Sequence, residues 1–306
     1  MTIEADQKAD LIAAIIVTYN PDFKALAQLL DAIVPQVHKT IIVDNGSQND
    51  VCSFIKNFTN KIIFEPLEQN LGIAKAHNVG IEIARNNNSN YVLLFDQDSL
   101  PHSDMVKKLH SAAVEKRKAG IKIACLGVRY EDPRQKNPPP FIKVEGLKLT
   151  RHQCNCESDI VEVDYLISSG SLIPIETIDN VGGMREELFI DYVDIEWGLR
   201  AQKIGYQSFG VCSAYMQHDL GDNPIIFLGR KIPVHSPLRH YYHFRNAIWL
   251  YKQNWLKTNW KIVDGIKLIR KFVFYSLFTE NRVDHIRMML KGIWHGLTNK
   301  MGAMKP

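Results

Sequence analysis

The first half of the chain alternates short, unbroken runs of apolar residues with segments in which apolar residues recur at helical spacing. Such runs are typical of strands that are buried on both faces of a sheet. Strands alternating with helices predict the α/β class, with a mostly parallel, Rossmann-like central sheet and helices on both faces. The predicted strands are residues 11–17, 40–43, 61–65 and 91–95, and the predicted helices are residues 22–37, a segment from residue 50, and residues 72–84.

The second half of the chain has a less regular pattern. It predicts a helix between Pro101 and Ala119, a strand over residues 121–128 and a polar surface loop over residues 130–160. The loop prediction depends on three consecutive prolines at positions 138–140, which interrupt regular structure. Further strands are predicted over residues 165–174 and 205–214, a helix from residue 191 or 192, and a helical tail after residue 236.

Each strand of the first half ends in a cluster of polar residues. The carboxyl ends of parallel strands form the ligand crevice of an open sheet, so we expect these clusters to meet there. Tyr19 can stack on a base, Asp44 can accept hydrogen bonds from a base or a ribose, and Gly72 lets the backbone approach a phosphate. The candidate ligand-binding residues are Thr18, Tyr19, Asn20, Asp44, Asn45, Asn70, Gly72, Lys75, Asp96 and Gln97.

Two carboxylates separated by one residue follow the strand at residues 91–95. Side chains two apart on a strand point the same way, so Asp96 and Asp98 can share a divalent cation. A solvated turn explains the same residues if the motif is considered alone. The sequence has no Gly-x-Gly-x-x-Gly after the first strand and no Walker A motif, which argues against dinucleotide-binding and P-loop proteins.

The order of the four polar clusters resembles the nucleotide-sugar half of family 2 glycosyltransferases, which have the GT-A fold. The resemblance implies that the first two clusters hold the nucleoside and that the Asp-x-Asp cluster binds the pyrophosphate through Mg²⁺ or Mn²⁺. It makes Asp98 the main metal contact and puts Asp96 near the ribose or the metal. The four clusters are Thr18-Tyr19-Asn20, Asp44-Asn45-Gly46-Ser47, Asn70-Leu71-Gly72 and Asp96-Gln97-Asp98.

A second acidic cluster precedes Arg200 and consists of Asp191, Asp194 and Glu196. Glu196 and Arg200 lie four residues apart and can pair on one face of a helix. Capping of a helix N-terminus by acidic residues explains the cluster without catalysis. A sugar transfer with inversion would instead use one of these carboxylates as the base that takes the proton from the acceptor hydroxyl.

The cluster resembles the Glu-Asp-x-Asp motif in the C-terminal half of family 2 enzymes. Alignment on Arg200 implies that Asp194 is the base and that Glu196 is the acid that follows it. The chain departs from the motif because Val193 replaces the first Glu, and Asp191 adds a carboxylate. Asp191 therefore stays an alternative for the base or for binding of the acceptor.

Three more residues are candidate ligands of the diphosphate or the metal. His218 follows a predicted strand, where a neutral imidazole could complete a metal site or touch the pyrophosphate, although a structural histidine is the plainer explanation. Residues 189–197 and 236–246 resemble bacterial rhamnosyltransferases of the family that assemble O-antigens and other surface polysaccharides. That resemblance implies phosphate binding by Arg239 and Arg245. A solvated helix face explains the two arginines nearly as well.

The number of cysteines and the lengths of the apolar segments indicate the cellular compartment of the protein. The five cysteines are odd in number and scattered, which argues against a disulfide framework and for a reducing cytoplasm. Cys154 and Cys156 could supply half of a metal site, but no second pair lies nearby. No signal peptide is visible, and no apolar run reaches the roughly 20 residues that span a bilayer. We therefore expect a cytoplasmic protein.

The net charge of +4 conceals two oppositely charged parts. Residues 228–306 contain 15 basic and three acidic residues, a net charge of +12, whereas residues 1–227 carry −8. We expect a catalytic domain over residues 1–227 and a basic, amphipathic helical extension over residues 228–306. The extension suits the inner face of the cytoplasmic membrane, and a cap on the sheet or a homodimer contact is the alternative. Nucleic acid is the weaker candidate partner, because the catalytic half would repel it.

Together these features predict an inverting, metal-dependent glycosyltransferase that moves L-rhamnose from dTDP-L-rhamnose to a lipid-linked polysaccharide. The identity of the sugar comes only from the resemblance. The alternatives are a family 2 transferase that uses another UDP- or dTDP-sugar, and a non-catalytic protein that binds nucleotide sugars or glycans. A nucleotidyltransferase would carry a Gly-rich, Lys-bearing loop after the first strand, where this chain has Thr18-Tyr19-Asn20-Pro21.

Overall fold

The computed structural model describes residues 10–56, 58, 61–131, 141–218, 225–227, 230–232 and 234–304, and for residues 218, 225–227 and 230–232 it gives the backbone only. The strands are β1 Ile12–Thr18, β2 Lys39–Asp44, β3 Ile62–Pro66, β4 Tyr91–Asp96, β5 Ser99–Pro101, β6 Ile123–Glu131, β7 Phe141–Glu145, β8 Lys148–His152, β9 Ile160–Val163, β10 Ser171–Pro174, β11 Gln207–His218, β12 Ile225–Phe227 and β13 Arg230–Ile232. The helices are α1 Phe23–Ile33, α2 Val51–Ile55, α3 Ile73–Asn86, α4 Met105–Lys118, α5 Ile175–Val181, α6 Val193–Lys203, α7 Pro237–Tyr251, α8 Thr258–Phe278 and α9 Arg282–Leu297.

The central sheet has the strand order β3-β2-β1-β4-β10-β6-β11-β5, and β9 pairs with β11. Strands β3, β2, β1 and β4 run parallel, as the sequence predicts. Strand β10 lies antiparallel between β4 and β6, and β11 runs parallel to β6. The α/β class and the mostly parallel sheet are therefore confirmed.

The predicted strands of the first half are unbroken apolar runs because both faces of the sheet are covered. Neighbouring residues of β1 belong to different hydrophobic clusters: Ile15 packs in one with residues of α3 and α6, and Ile16 packs in the other with residues of α1 and α4. The register pairs Thr18 with Asp44 and Val17 with Asp96. The polar strand ends therefore lie side by side at one edge.

The segment predicted as a polar surface loop contains regular structure, so that prediction is wrong for the part that the structure describes. Residues 141–152 form an antiparallel hairpin of β7 and β8, and β9 pairs with β11. These strands have only four or five residues each and mix apolar with polar side chains irregularly, which hides the alternation that identifies a strand in a sequence. Residues 132–140, which include the three prolines, lie outside the described residues.

The expectation that the chain has no disulfide is also wrong. Cys154 and Cys212 form a disulfide across 58 residues of sequence, joining the segment after β8 to β11. The pairing could not be read from spacing, because it depends on the unpredicted contact between the segment around β9 and β11. It removes Cys154 from any metal site, while Cys156 is exposed and unpaired with another cysteine.

The C-terminal helices pack against the sheet and against one another. One hydrophobic cluster contains Ala13 and Val92 of the sheet together with Phe244 of α7, Leu268 of α8 and Met289 of α9. The division at residue 227 stays a prediction. None of the helices that the structure describes is both long enough and apolar enough to cross a membrane.

Candidate active site

A cavity of about 610 Å³ lies where the carboxyl ends of β1, β2 and β4 meet the start of α6 and the first turns of α7. Its volume is in the range of small-molecule sites. The two acidic clusters, which are almost 100 residues apart in sequence, meet in this cavity. The predicted site residues that line it are Tyr19, Asn45, Asn70, Gly72, Asp96, Gln97, Asp98, Asp191, Asp194 and Arg239.

The Asp-x-Asp cluster occupies the turn between β4 and β5. Asp96 ends β4, and Asp98 is exposed to solvent. The backbone N–H of Tyr19 donates to Gln97 Oε1 at 2.7 Å, and Gln97 Nε2 donates to the Tyr19 carbonyl oxygen at 3.3 Å. Gln97 thus stabilises the loop after β1, which carries the exposed Tyr19 ring. The predicted contact of Gln97 with a nucleotide sugar stays a prediction.

The polar residues that follow β1 and β2 beside the cavity support one another. Thr18 Oγ1 donates to Asp44 Oδ1 at 2.7 Å, and the Ser47 backbone N–H donates to Asp44 Oδ2 at 3.0 Å. Asn20 Oδ1 accepts the Gln48 N–H at 2.7 Å. Thr18, Asn20 and Asp44 do not appear in the cavity wall, and Asp44 is buried. These three side chains hold the loops, and direct contact with a ligand stays a prediction for them.

An amide pair closes the next part of the wall. Asn45 Nδ2 donates to Asn70 Oδ1 at 3.1 Å, and Asn45 Oδ1 accepts the Leu71 N–H at 2.9 Å. Gly72 has a φ of +88°, and a Cβ there would lie 2.6 Å from Phe189. The glycine therefore permits close packing on Phe189, and its predicted contact with a phosphate stays a prediction. Lys75, by contrast, pairs with Glu186 at 3.2 Å and does not line the cavity.

The loop before α6 gives the second acidic cluster its position. Phe189, Asp191 and Tyr192 have positive φ values of 67°, 61° and 63°. Asp194 follows in the first turn of α6, with Oδ1 accepting the Ile195 N–H at 2.8 Å. Burial raises the pKa of Asp194 to about 6, and the negative charges of Asp191 and Asp96 add to the shift. A carboxylate with such a pKa is suited to proton abstraction near neutral pH.

The predicted pair in α6 is confirmed. Arg200 donates to both oxygens of Glu196 at 2.8 and 3.0 Å, and it also donates to the carbonyl oxygens of Val181 and Gly183. Glu196 is fully buried and lies outside the cavity wall. These contacts fix α6 to the C-terminal end of α5 and to the segment after it, and so fix the position of Asp194.

The two arginines of α7 have different positions. Arg239 lines the cavity, and its Nε lies 3.4 Å from Asp191 Oδ2. Arg245 is fully buried and donates to the carbonyl oxygens of Glu187, Leu188 and Gly302. The prediction that Arg245 binds phosphate is therefore wrong. Residues 239 and 245 are six apart, which puts them on different faces of a helix.

The side chain of His218 lies outside the described residues. Its backbone ends β11 and pairs with Ser99, the residue after Asp98. Its predicted role at the metal or the pyrophosphate stays a prediction. Sequence reasoning missed Phe189, Tyr192 and His243, all of which line the cavity. The spacing of four residues between positions 239 and 243 is the signal that could have identified the histidine, because it puts both side chains on one helical face.

Comparison with known proteins identifies the family. Residues 13–163 match the model of Glycosyl transferase family 2. The chain is 33% identical over 299 residues to the dTDP-rhamnosyl transferase RfbF of Shigella flexneri, an alignment that covers 95% of this chain and 97% of that protein. The chain belongs to glycosyl transferase family 2. In this glycosyltransferase, the two acidic clusters that resemble motifs of the family lie in one cavity.

Solved structures with the same fold include other glycosyltransferases. GalNAc-T7, solved with UDP, GalNAc and Mn²⁺, has a TM-score of 0.62 at 10% identity, and the alignment covers 96% of this chain and 57% of that one. TarS 1-349 of S. aureus in complex with UDP-GlcNAc has a TM-score of 0.56 at 16% identity, over 92% of this chain and 81% of that one. These likenesses confirm the GT-A fold predicted for the glycosyltransferase.

The donor set at the Asp-x-Asp cluster fits a hard divalent cation. Asp96 and Asp98 offer carboxylate oxygens from one turn, the ligand type that Mg²⁺ and Mn²⁺ prefer. In the part of the chain that the structure describes, no group of three or more His, Cys, Asp or Glu side chains forms a complete metal site. A cation held here by the glycosyltransferase would share its ligands between the protein, the substrate and water, as Mg²⁺ commonly does beside phosphates.

Proposed function

We propose that this glycosyltransferase moves L-rhamnose from dTDP-L-rhamnose to a hydroxyl group of a lipid-linked, O-antigen-type polysaccharide, with inversion at the anomeric carbon. The observation that carries the proposal is the single cavity that contains both the Asp-x-Asp cluster and Asp194. Identity of 33% along almost the whole length of the Shigella dTDP-rhamnosyl transferase supports the choice of donor.

The donor would occupy the part of the cavity between β1, β2 and β4. The exposed Tyr19 ring is available to stack on the base, and the Asn45–Asn70 pair offers polar edges to the nucleoside. Asp98, with Asp96, would hold Mg²⁺ or Mn²⁺, which when bound offsets the charge of the diphosphate leaving group. Arg239 would donate to the phosphate oxygens from α7.

Asp194 would act as the base. The acceptor oxygen attacks the anomeric carbon, its proton passes to Asp194, and the bond from the anomeric carbon to the phosphate oxygen breaks with its electron pair leaving on dTDP. Burial and the raised pKa of about 6 favour Asp194 over Asp191 for this role. Asp191 is held by Arg239 at 3.4 Å and would orient the acceptor or the arginine.

The outer surface of α8 and α9 would bring the enzyme to its lipid-linked acceptor at the inner face of the cytoplasmic membrane. This surface, the C-terminal apolar face, consists of Ile262, Ile266, Ile269, Val273, Leu277, Val283, Leu290, Trp294 and Leu297, all exposed. Exposed basic side chains, among them Arg270, Arg282 and Arg287, lie on the same two helices. Apolar side chains flanked by basic ones suit an anionic membrane interface.

We propose that residues 1–227 carry both acidic clusters, and that residues 228–306 add Arg239 and His243 of α7 to the cavity wall and supply the membrane-facing surface. A second copy of the chain could cover the same face, and a homodimer is the alternative occupant. A different UDP- or dTDP-sugar is the alternative donor. A non-catalytic glycan-binding protein is disfavoured by the buried carboxylate in the cavity, which binding alone does not require.

Calorimetric titration tests the donor. The purified chain is titrated with dTDP-rhamnose, a UDP-sugar and a GDP-sugar, each with and without Mn²⁺. The proposal predicts metal-dependent binding of dTDP-rhamnose and much weaker binding of the other two. Asp98→Asn should abolish the metal dependence, while Asp104→Asn, at the half-buried N-cap of α4 and outside the cavity wall, serves as the matched control. Equal binding of all three donors would overturn the choice of sugar nucleotide.

A further inference from the structure

His243 and Arg239 form a short strip of hydrogen-bond donors along one wall of the cavity. They lie four residues apart in α7, and both line the cavity. Arg239 is engaged by Asp191 through contacts of 3.4 Å, whereas the His243 ring packs edge-on against Tyr192 with 5.0 Å between ring centroids. Because both residues line the cavity, a ligand bound there would meet the histidine as well as the arginine.

Lys271 determines which nitrogen of His243 carries the proton. Lys271 Nζ lies 3.0 Å from His243 Nε2. A protonated Lys271 can only donate, so Nε2 then accepts and the proton of the neutral imidazole resides on Nδ1. Burial lowers the pKa of Lys271, and the negative charge of Asp264 opposes that shift. Burial, together with the charge of Lys271, holds the pKa of His243 well below its usual range, so the ring stays neutral. The described residues supply no partner for Nδ1.

Helix α8, which carries Lys271, also fixes the Tyr192 ring that packs on His243. Tyr192 Oη donates to Asp264 Oδ2 at 2.7 Å, and Tyr251 Oη donates to the same atom at 2.7 Å. Asp264 and Lys271 are seven residues apart in α8 and so share one face of that helix. This inner face of α8 holds Tyr192 and His243 from behind the cavity wall, which restricts the orientation of the imidazole.

We propose that His243 is a substrate-binding residue whose Nδ1–H donates to a diphosphate oxygen of the sugar nucleotide, and that Lys271 is the positioning residue that fixes this tautomer. A neutral N–H donor beside Arg239 adds a directed hydrogen bond to the phosphate. The inference rests on the proposed function, because it needs a nucleotide diphosphate in this cavity.

Two substitutions at position 243 distinguish a hydrogen bond from His243 to the ligand from the hydrogen bond that His243 accepts from Lys271. The amide nitrogen of Asn reproduces the position of Nδ1, and the amide oxygen of Gln reproduces the acceptor at Nε2. His243→Asn should therefore keep dTDP affinity within about threefold of wild type, and His243→Gln should lower it about tenfold, the loss expected for one hydrogen bond to a charged group. If His243 serves only to accept the Lys271 hydrogen bond, the order of the two variants reverses.

Lys271→Met tests the positioning role. It should weaken dTDP binding severalfold in the wild-type background and have no further effect in the His243→Asn background, because the amide needs no tautomer. Lys118→Met, exposed at the end of α4, is the matched control. Thermal melts confirm that every variant is folded.

The titrations use the full chain, dTDP and dTDP-rhamnose. Parallel losses for dTDP and dTDP-rhamnose support contact with the diphosphate, and a loss for dTDP-rhamnose alone overturns it in favour of the sugar. If wild type binds neither ligand, the proposed function fails. If wild type binds both and the variants at position 243 bind equally well, only the inference about His243 fails.

Discussion

Asn246 of α7 holds the backbone of Asp191, with its Nδ2 donating to the Asp191 carbonyl oxygen at 2.8 Å. The same amide donates to the carbonyl oxygens of Leu188 and Ile190 at 2.9 and 2.7 Å. Asp191 itself has a φ of 61°, a conformation that is uncommon for residues other than glycine and that aspartate tolerates better than most. The C-terminal helices thus shape the acidic end of the cavity.

Replacing this amide should damage both the stability and the activity of the enzyme. Asn246→Leu leaves the carbonyl oxygens of Ile190 and Asp191 without this donor, while Leu188 keeps its hydrogen bond from Arg245, and the loss should lower the free energy of unfolding by about 2 kcal/mol. Because the Asp191 backbone then relaxes, kcat should fall by at least about tenfold. Asn254→Leu, in the exposed turn after α7, is the control. Denaturant unfolding and transfer assays check both effects. An unaltered kcat in a folded variant would contradict the idea that Asn246 supports activity through the Asp191 backbone.

The two arginines of α7 should respond differently to substitution. Arg245→Lys loses contacts to buried carbonyl groups and should lower the melting temperature by several degrees, while the folded fraction keeps its donor affinity. Arg239→Gln should weaken donor binding about tenfold with little change in melting temperature. Calorimetry and thermal melts separate the two outcomes. Weaker donor binding by fully folded Arg245→Lys would restore a phosphate-binding role for that residue.

The pKa of Asp194 predicts how transfer depends on pH. The base must be ionised, so kcat/KM should fall as pH decreases through about 6. Asp191→Asn removes a negative charge that raises this pKa, so the midpoint should move to lower pH. If Asp191 is the base, the same variant loses activity at every pH. A rate profile from pH 4.5 to 8 distinguishes the two.

The raised pKa also predicts a stability change. The native state binds a proton on Asp194 more tightly than the unfolded chain does, so this group stabilises the fold at low pH and loses that contribution as pH rises through about 6. Asp194→Asn should therefore raise the melting temperature at pH 7.5 and change it little at pH 4. Thermal melts at the two pH values test the direction of this change. A lower melting temperature of Asp194→Asn than of wild type at pH 7.5 would contradict the prediction.

The C-terminal apolar face should bind anionic vesicles. Ile269→Glu combined with Val273→Glu puts two acidic groups on exposed positions of α8 and should reduce co-sedimentation with vesicles that contain acidic phospholipid. Leu147→Glu, equally exposed on the turn of the β7–β8 hairpin, is the control. If the double variant instead converts a dimer to a monomer in sedimentation, a second copy of the chain covers this face.

The sequence was most informative where one strand carries both fold and function. Strand β4 is an unbroken apolar run that ends at Asp96, so its burial and its place at the crevice follow from local pattern. Glu196 and Arg200 were predictable for the same reason, because helical spacing brings them together.

Contacts that depend on tertiary packing could not be predicted. The Cys154–Cys212 disulfide requires the position of the segment around β9, and the β7–β8 hairpin lacks a clear apolar alternation. The burial of Arg245 depends on where the end of the chain lies, since Gly302 supplies one of its acceptors. The helical phase of α7 alone would have separated Arg245 from Arg239, but it gives no indication of which face meets the cavity.

The measurement that tests the account most directly compares transfer and donor binding in Asp194→Asn. Labelled rhamnose is followed from dTDP-rhamnose into the lipid fraction of membranes that carry the acceptor, and the donor Kd is measured on the same protein. We expect the rate to fall by a factor of about 10² to 10⁴, as for loss of a general base, while the donor Kd stays within about threefold of wild type. Transfer at the wild-type rate would contradict the account, because Asp194 would then have no part in the chemistry.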